Sequence, residues 1–215
     1  MTRGARLATT LCAAALAGPV WAGELSVVPG RVEPDCRAGR AQSYDECGSQ
    51  LDHLATALAR AEAEDKHVLA IYGAEWCIWC NVLDAHLAGE RGIFGYLVEG
   101  ERVGMVETPE PGAAEASAAL SEFAARSFVI LHVEGQYAPD GDAVLAATGA
   151  AETLAGWIPY VFVLDRDGRY AGKLAEFEDL PELERRRDGI LPYRGYDRAV
   201  LLRELQRLDR AAKGE

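Results

Sequence analysis

Residues 67–83, HVLAIYGAEWCIWCNVL, contain the feature that decides the fold. The first part, His67–Gly73, is a continuous apolar run with Val and Ile, which is typical of a strand buried on both faces. After Cys77 the apolar residues recur at helical spacing, so Cys77 and Cys80 lie where a strand passes into a helix. A cysteine pair at such a junction is a redox pair, half of a metal site or a structural disulfide.

A redox pair needs one sulfur that ionises readily and a second sulfur that can reach it. Cys77, at the helix N-terminus, meets unpaired backbone N–H groups and the positive end of the helix dipole, which both favour a thiolate. Cys80 lies one turn further on, where it can attack a mixed disulfide formed by Cys77. The spacing therefore predicts that Cys77 is the nucleophile and Cys80 the resolving thiol.

The histidines give little support to the metal interpretation. A tetrahedral zinc site usually takes a second closely spaced pair of ligands. None of the four histidines has a close-spaced partner: they are His53, His67, His86 and His132. We expect no metal, and no cofactor is needed because a dithiol itself carries two electrons.

Helices and strands alternate around the cysteine pair. Helices are predicted over 49–66, 113–127 and 196–211, with a short helix ending at Gly149, and strands over 128–135, 160–164 and 169–174. On the first helix we expect Leu51, Leu54, Ala55 and Leu58 to face the core. Alternating elements followed by an antiparallel hairpin predict an α/β fold, with a mixed sheet and helices on both faces. Residues 176–195 are predicted to form a polar connection.

The N-terminus has the layout of a secretory signal peptide. Arg3 and Arg6 form a basic start, residues 7–20 are apolar, and residues 20–22 offer a cleavage position. The apolar run is too short to span a bilayer comfortably. We expect residues 1–22 to be removed and the protein to be periplasmic or secreted; an uncleaved membrane anchor is the alternative.

Four cysteines remain after removal of the signal peptide, and an even number in an exported protein predicts two disulfides. Sequence order favours the pairs Cys36–Cys47 and Cys77–Cys80, although four cysteines allow three pairings. We interpret Cys36–Cys47 as a structural disulfide that ties down a Pro- and Gly-rich arm over residues 23–48. A second redox pair is the alternative.

The charge of the chain excludes some partners. The sequence has 34 acidic and 22 basic side chains and a net charge of −12. A negative surface disfavours nucleic acid and anionic membranes as partners. We therefore expect neither nucleic-acid binding nor stable membrane insertion.

Two stretches resemble the signatures of the thioredoxin superfamily. Residues 67–83 resemble its active-site strand, Cys-x-x-Cys pair and helix, and WIPYVFVLDRDGRYAGKL, residues 157–174, resembles its hairpin preceded by a cis proline. The resemblance implies a thioredoxin-like domain over residues 49–215, with an insertion at about 91–126 and with Ile158 and Pro159 beside the cysteines. It also implies an exported, periplasmic thiol–disulfide oxidoreductase that acts on the cysteines or disulfides of other proteins.

The chain departs from the thioredoxin pattern at two places. Ile78-Trp79 replaces Gly-Pro between the cysteines, and Ile71 occupies the position of a buried Asp that assists the resolving thiol. We expect deprotonation of Cys80 to rely on water, on Glu75, or on a substrate group. The alternative for Glu75 is an exposed loop carboxylate without a catalytic role. The two tryptophans that flank the pair, Trp76 and Trp79, either pack against the fold or form an apolar rim of the substrate groove, which Trp157 could complete. We favour packing for Trp76, and for Trp79 both interpretations stay open.

The direction of electron flow is predicted from the lack of a cation between the cysteines. A strongly oxidising pair needs a stabilised thiolate, so we favour a reductant that a membrane electron donor keeps reduced. A disulfide oxidase or isomerase is the alternative within the class. From another class, the alternative is a non-catalytic binding or chaperone module in which Cys77–Cys80 is structural.

Overall fold

The computed structural model describes residues 23–39, 41–99, 102–109, 112–175, 185–187, 190–193 and 196–215. The predicted signal peptide lies outside these residues, as does most of the predicted connection 176–195. The elements in chain order are β1 Ser26–Val28, α1 Gln50–Glu64, β2 His67–Gly73, α2 Ile78–Leu87, β3 Gly92–Glu99, β4 Arg102–Pro109, α3 Ala113–Ser127, β5 Phe128–Glu134, α4 Gly141–Thr148, β6 Tyr160–Leu164, β7 Tyr170–Lys173, β8 Arg185–Arg187, β9 Ile190–Tyr193 and α5 Arg198–Ala212.

Five strands form one mixed sheet in the order β1-β5-β2-β6-β7. Strands β1 and β2 run parallel to β5, whereas β6 is antiparallel to β2 and β7 is antiparallel to β6. Every residue of the inner strands β2 and β5 is buried. These strands are covered on both faces, as their continuous apolar sequences predict.

Helices cover both faces of this sheet. Successive side chains of β2 point to opposite faces, so Leu69 and Ile71 pack with α2, α3 and α5, whereas Val68 and Ala70 pack with α1 and α4. Full burial of a Leu or Ile side chain contributes about 1.5–3 kcal/mol. The predicted α/β arrangement is confirmed, and its strand order, strand directions and two helical layers are those of the thioredoxin fold.

Helix α1 begins as predicted, but its buried face differs from the predicted one. Ser49 caps the helix by accepting the backbone N–H of Asp52 at 3.2 Å. Leu51 is 40 % exposed and Ala55 is exposed, so two of the four predicted inner positions are wrong. The buried positions are Gln50, Leu54, Ala57 and Ala61. Gln50 is turned inward because its side chain donates to the Asp45 carbonyl oxygen at 2.7 Å and accepts the Glu134 N–H at 2.9 Å.

Several described parts of the segments outside the predicted core form strands or helices. The arm supplies β1 to the edge of the central sheet. Within the predicted insertion, β3 and β4 form a separate antiparallel hairpin, whereas α3 packs into the core through Leu120 and Ala124. Strands β8 and β9 pair in the region where the sequence predicted only a polar connection. Among the described residues, no helix has the length and apolarity needed to cross a membrane.

Candidate functional site

The two central cysteines lie at the junction between β2 and α2. Cys77 is the N-cap residue of α2, and its Sγ accepts the backbone N–H of Cys80 at 3.2 Å. The two sulfurs are joined in a disulfide, with the Cα atoms 5.3 Å apart. A helix N-terminus that already donates an N–H group to Cys77 would also stabilise a thiolate there after reduction.

The two sulfurs differ in their access to partners. Both cysteines are buried, Cys77 at 3 % and Cys80 at 0 % exposure, but Cys77 lines a groove with a volume of about 590 Å³, whereas Cys80 does not line it. A sulfur that enters the groove therefore meets Cys77 first. Exchange depends on which sulfur can be attacked; the roles of nucleophile for Cys77 and resolving thiol for Cys80 stay predictions.

The rim of the groove is aromatic. Trp76 is 56 % exposed and Trp157 is 74 % exposed. The expectation that Trp76 packs on the fold is wrong: its ring stands in solvent, and its indole N–H donates to Oε1 of Gln136 at 2.9 Å. Trp79 is half-buried and packs against Tyr196, with ring centroids 5.4 Å apart, and it also lines the groove.

The loop that precedes β6 forms another part of the groove lining. The Ile158–Pro159 peptide bond is cis, and Ile158 lines the groove together with Cys77. Pairing of Tyr72 with Tyr160 in the sheet places the start of β6 beside the end of β2. The sheet register therefore brings the proline loop to the cysteine loop.

Tyr44 of the arm forms the floor beneath the disulfide, and nothing in the sequence analysis singled it out. It is completely buried. A Cβ placed on Gly73 would lie 2.7 Å from Sγ of Cys80 and 3.1 Å from the Tyr44 hydroxyl oxygen. The sulfur and the hydroxyl thus border the same small space, which is open only because residue 73 has no side chain.

An ionisable pair lies against Tyr44. The His132 and Tyr44 ring centroids are 4.8 Å apart, and His132 Nε2 lies 2.8 Å from Oδ1 of Asp84 on α2. Burial by itself would lower the His132 pKa, but the charge and hydrogen bond of Asp84, with help from Glu75 and the backbone of Ser43, raise it above its ordinary value. His132 pairs in register with Ile71, so both side chains lie on the face of the sheet that α2 covers.

Glu75 holds the arm against the active-site loop. Its carboxylate accepts the backbone N–H groups of Gln42, Ser43 and Tyr44 at 3.0, 2.9 and 3.1 Å. The predicted interpretation of Glu75 as an exposed loop carboxylate is therefore wrong. Three charge-assisted hydrogen bonds give the carboxylate a positioning role toward Tyr44.

The arm also contains the second disulfide, Cys36–Cys47, whose sequence separation is 11 residues. Within the described residues, Cys36, Asp45 and Cys47 form the cluster of side chains that could share a metal ion. The two sulfurs are already bonded to each other, so this cluster does not offer the thiolates that a metal requires.

No protein-family model matches the chain, and no curated protein matches it. Among solved structures, the chain is similar to the disulphide isomerase from Xylella fastidiosa Temecula1. The two share 21 % sequence identity, the match covers 60 % of this chain and 76 % of that chain, and the TM-score is 0.39. Similarity of this degree carries no inference about activity.

Proposed function

We propose that this protein is a thiol–disulfide oxidoreductase that exchanges electrons with the cysteines of other proteins through Cys77 and Cys80. The observation that carries the proposal is the disulfide at the N-terminus of α2, with Cys77 on a groove and Cys80 buried behind it. This arrangement lets a partner sulfur reach one cysteine while the fold holds the other one turn away.

The proposed reduction of a substrate takes place in two exchanges. The Cys77 thiolate attacks one sulfur of a substrate disulfide, the substrate S–S bond breaks, and one substrate sulfur leaves as a thiolate. Cys80 loses its proton and attacks Cys77, and the second substrate sulfur leaves with the electron pair of the mixed disulfide. The substrate gains two electrons, and Cys77 and Cys80 end as a disulfide.

The proposed substrate is a cysteine-containing segment of polypeptide. Trp76, Trp157 and Ile158 give the groove an apolar surface close to Cys77. Exposed aromatic side chains around a concave site are typical of protein-binding surfaces. An apolar segment that flanks a substrate cysteine would cover these rings while its sulfur meets Cys77.

We propose that the protein acts as a reductant in an exported compartment, supplied with electrons by a membrane donor. Among the described residues that line the groove there is no Lys or Arg, so little stabilises a Cys77 thiolate beyond the helix N-terminus. A weakly stabilised thiolate corresponds to a reducing pair. The signal-peptide layout of residues 1–22, followed by the arm over 23–48 and a domain over 49–215, supports export, as do two disulfides in one chain.

The reduction potential of Cys77–Cys80 tests this proposal. The purified protein is equilibrated in glutathione and dithiothreitol buffers, free thiols are alkylated, and the Cys77–Cys80 peptide is quantified by mass, with Cys36–Cys47 as the internal reference. We expect a value near roughly −270 mV, as in thioredoxin. A value near roughly −120 mV would overturn the proposed direction. Resistance to reduction throughout the range would remove the enzyme proposal and support a binding module.

A further inference from the structure

The position of Cys80 poses a chemical problem for exchange. Cys80 is fully buried, and burial in apolar surroundings disfavours a thiolate. The resolving step nevertheless requires Cys80 to lose its proton. Ile71, on the sheet face below the helix, has no ionisable group to accept that proton.

We propose that Tyr44 and the His132–Asp84 pair form a buried proton-handling site for Cys80. When the disulfide is open, Tyr44 would donate a hydrogen bond to the Cys80 thiolate, and the His132–Asp84 pair would take up the proton that the thiol releases. The inference rests on the proposed redox function and deepens it, because it assigns the group that enables the resolving step.

The Tyr44 hydroxyl is available for this role. Its oxygen is buried and has no hydrogen-bond partner among the residues that the structure describes. A buried polar group without a partner is costly and calls for an explanation. A thiolate at Cys80, which borders the same space above Gly73, would supply the missing acceptor. Burial, with the charges of nearby acids, raises the Tyr44 pKa well above its usual range, so the hydroxyl stays a donor.

The charges around Tyr44 explain why a histidine is needed. The groups whose charges act on the Tyr44 hydroxyl are Asp84 of α2, Glu75 of the loop, Glu134 of β5 and Tyr196 before α5. A thiolate formed among these carboxylates would be strongly disfavoured. A proton on His132 gives this region a compensating positive charge, and Asp84 holds it there through the 2.8 Å contact.

Asp84 connects the site to the helix that carries Cys80. It lies four residues after Cys80 on α2, so the two side chains are neighbours on the same helical face. The Asp84 side chain is 20 % exposed, whereas the His132 side chain is 6 % exposed. The second carboxylate oxygen of Asp84, Oδ2, is buried and has no hydrogen-bond partner among the described residues, so it offers the pair a further acceptor for the released proton.

The proposed step balances as follows. The Cys80 S–H bond breaks, the Cys80 sulfur forms the S–S bond with Cys77, and the substrate sulfur leaves with the electron pair of the mixed disulfide. The proton goes to the His132–Asp84 pair, while the Tyr44 hydroxyl keeps its own proton and donates a hydrogen bond to the sulfur as its negative charge develops. When a reductant opens the Cys77–Cys80 disulfide, the same groups return the proton to Cys80.

The pKa of the Cys80 thiol tests the inference without any turnover. In a Cys77→Ser chain, thiolate absorbance is followed against pH, and the spectrum of a Cys77→Ser/Cys80→Ser chain is subtracted to remove other contributions. Tyr44→Phe and His132→Gln are each introduced into this background. We expect each to raise the Cys80 pKa by about one unit or more, since each removes stabilisation of the thiolate.

Two matched variants serve as controls. Tyr160→Phe removes another buried tyrosine hydroxyl, which donates to the Ala150 carbonyl oxygen at 3.0 Å. His53→Gln breaks another histidine–aspartate contact, 3.1 Å from Asp45. Neither control should move the Cys80 pKa.

Absence of the shift in either Tyr44→Phe or His132→Gln, or an equal shift in the controls, overturns the inference. Tyr44→Phe removes a single oxygen and keeps the test decisive if His132→Gln does not fold. If both variants shift the Cys80 pKa but the Cys77–Cys80 disulfide resists reduction, the proposed redox function is wrong, whereas the proton-handling site is supported.

Discussion

Glu75 and Tyr44 are 31 positions apart in the sequence, yet the Glu75 carboxylate accepts the backbone N–H of Tyr44 at 3.1 Å. The same carboxylate accepts the N–H groups of the two preceding residues. The loop that leads into Cys77 therefore fixes the arm segment that supplies the floor of the site.

We expect Glu75→Gln to lower the free energy of unfolding by about 2 kcal/mol, because hydrogen bonds to a charged acceptor are about twice as strong as neutral ones. Denaturant titration measures the change. Glu62→Gln, on the exposed side of α1, is the control and should have little effect. Equal stabilities of the two variants would contradict a role for Glu75 in holding the arm.

We expect Gly73→Ala to destabilise the oxidised protein by about 1–3 kcal/mol, the usual range for overpacking. The added methyl group would meet Cys80 Sγ at 2.7 Å and Tyr44 at 3.1 Å. Gly172→Ala is the matched strand control, because its methyl group would lie no closer than 3.5 Å to a neighbouring atom. If the Gly73→Ala protein is as stable as the Gly172→Ala protein, the space between residue 73, Cys80 and Tyr44 accommodates a methyl group and the expectation of overpacking is wrong.

Burial, reinforced by the charge of Arg198, lowers the pKa of His86 from 6.5 to about 3. His86 is neutral in the fold and accepts the Tyr196 N–H at 2.9 Å. Its contribution to stability is fully present above pH 6.5 and is lost as the pH falls toward 3. Below the unfolded-state pKa we expect the free energy of unfolding to fall with decreasing pH, with a slope approaching about 1.4 kcal/mol per pH unit.

The slope should be measured between pH 6.5 and about 5, where most carboxylates remain ionised. His86→Gln keeps a hydrogen-bond acceptor but does not titrate, so its stability should vary less with pH than that of the wild type. A wild-type stability independent of pH in this window would refute the assignment.

His132 should make stability depend on pH in the opposite direction to His86. Although burial alone would lower its pKa, Asp84 raises it above 6.5, so its contribution is fully present below 6.5 and is lost as the pH rises through the folded-state value. In the oxidised protein the active-site cysteines do not titrate, and denaturation curves at neutral and mildly alkaline pH isolate this effect. Asp84→Asn should flatten the decline; an unchanged decline in that variant would show that Asp84 does not set the pKa.

Replacement of both Cys36 and Cys47 by Ser should lower the free energy of unfolding by about 3 kcal/mol, as the chain-entropy model gives for a loop of this length. The comparison is a denaturant titration of the double variant and the wild type, both with Cys77–Cys80 oxidised. A loss below about 1 kcal/mol would mean that the hydrogen bonds to Glu75 already fix the arm without the disulfide.

The sequence predicts the central elements well because their signals are local. The apolar runs of β2 and β6, the helical spacing of α3 and the cysteines at a strand–helix junction each occupy one short segment. The face of α1 was predicted less well, since hydrogen bonds from Gln50 to distant backbone groups turn that residue inward.

The residues beneath the disulfide could not be assigned in this way. His132 reaches the site only through the register between β5 and β2, and Tyr44 only through the path of the arm. One signal was present: His132 interrupts the apolar run FVILHVEG, and a polar residue in a strand buried on both faces needs a partner. Tyr44 lies in a segment without periodicity, so its burial follows from tertiary contacts alone.

Three of the four tryptophans, Trp76, Trp79 and Trp157, line the groove beside Cys77. Indole fluorescence depends on the polarity around the ring and on quenching by nearby sulfur. The tryptophan emission of the folded protein therefore comes mainly from the groove. A polypeptide that covers Trp76 and Trp157 would change the wavelength and the intensity of this emission. The protein carries its own optical reporter of partner binding, and association could be followed without attaching a dye.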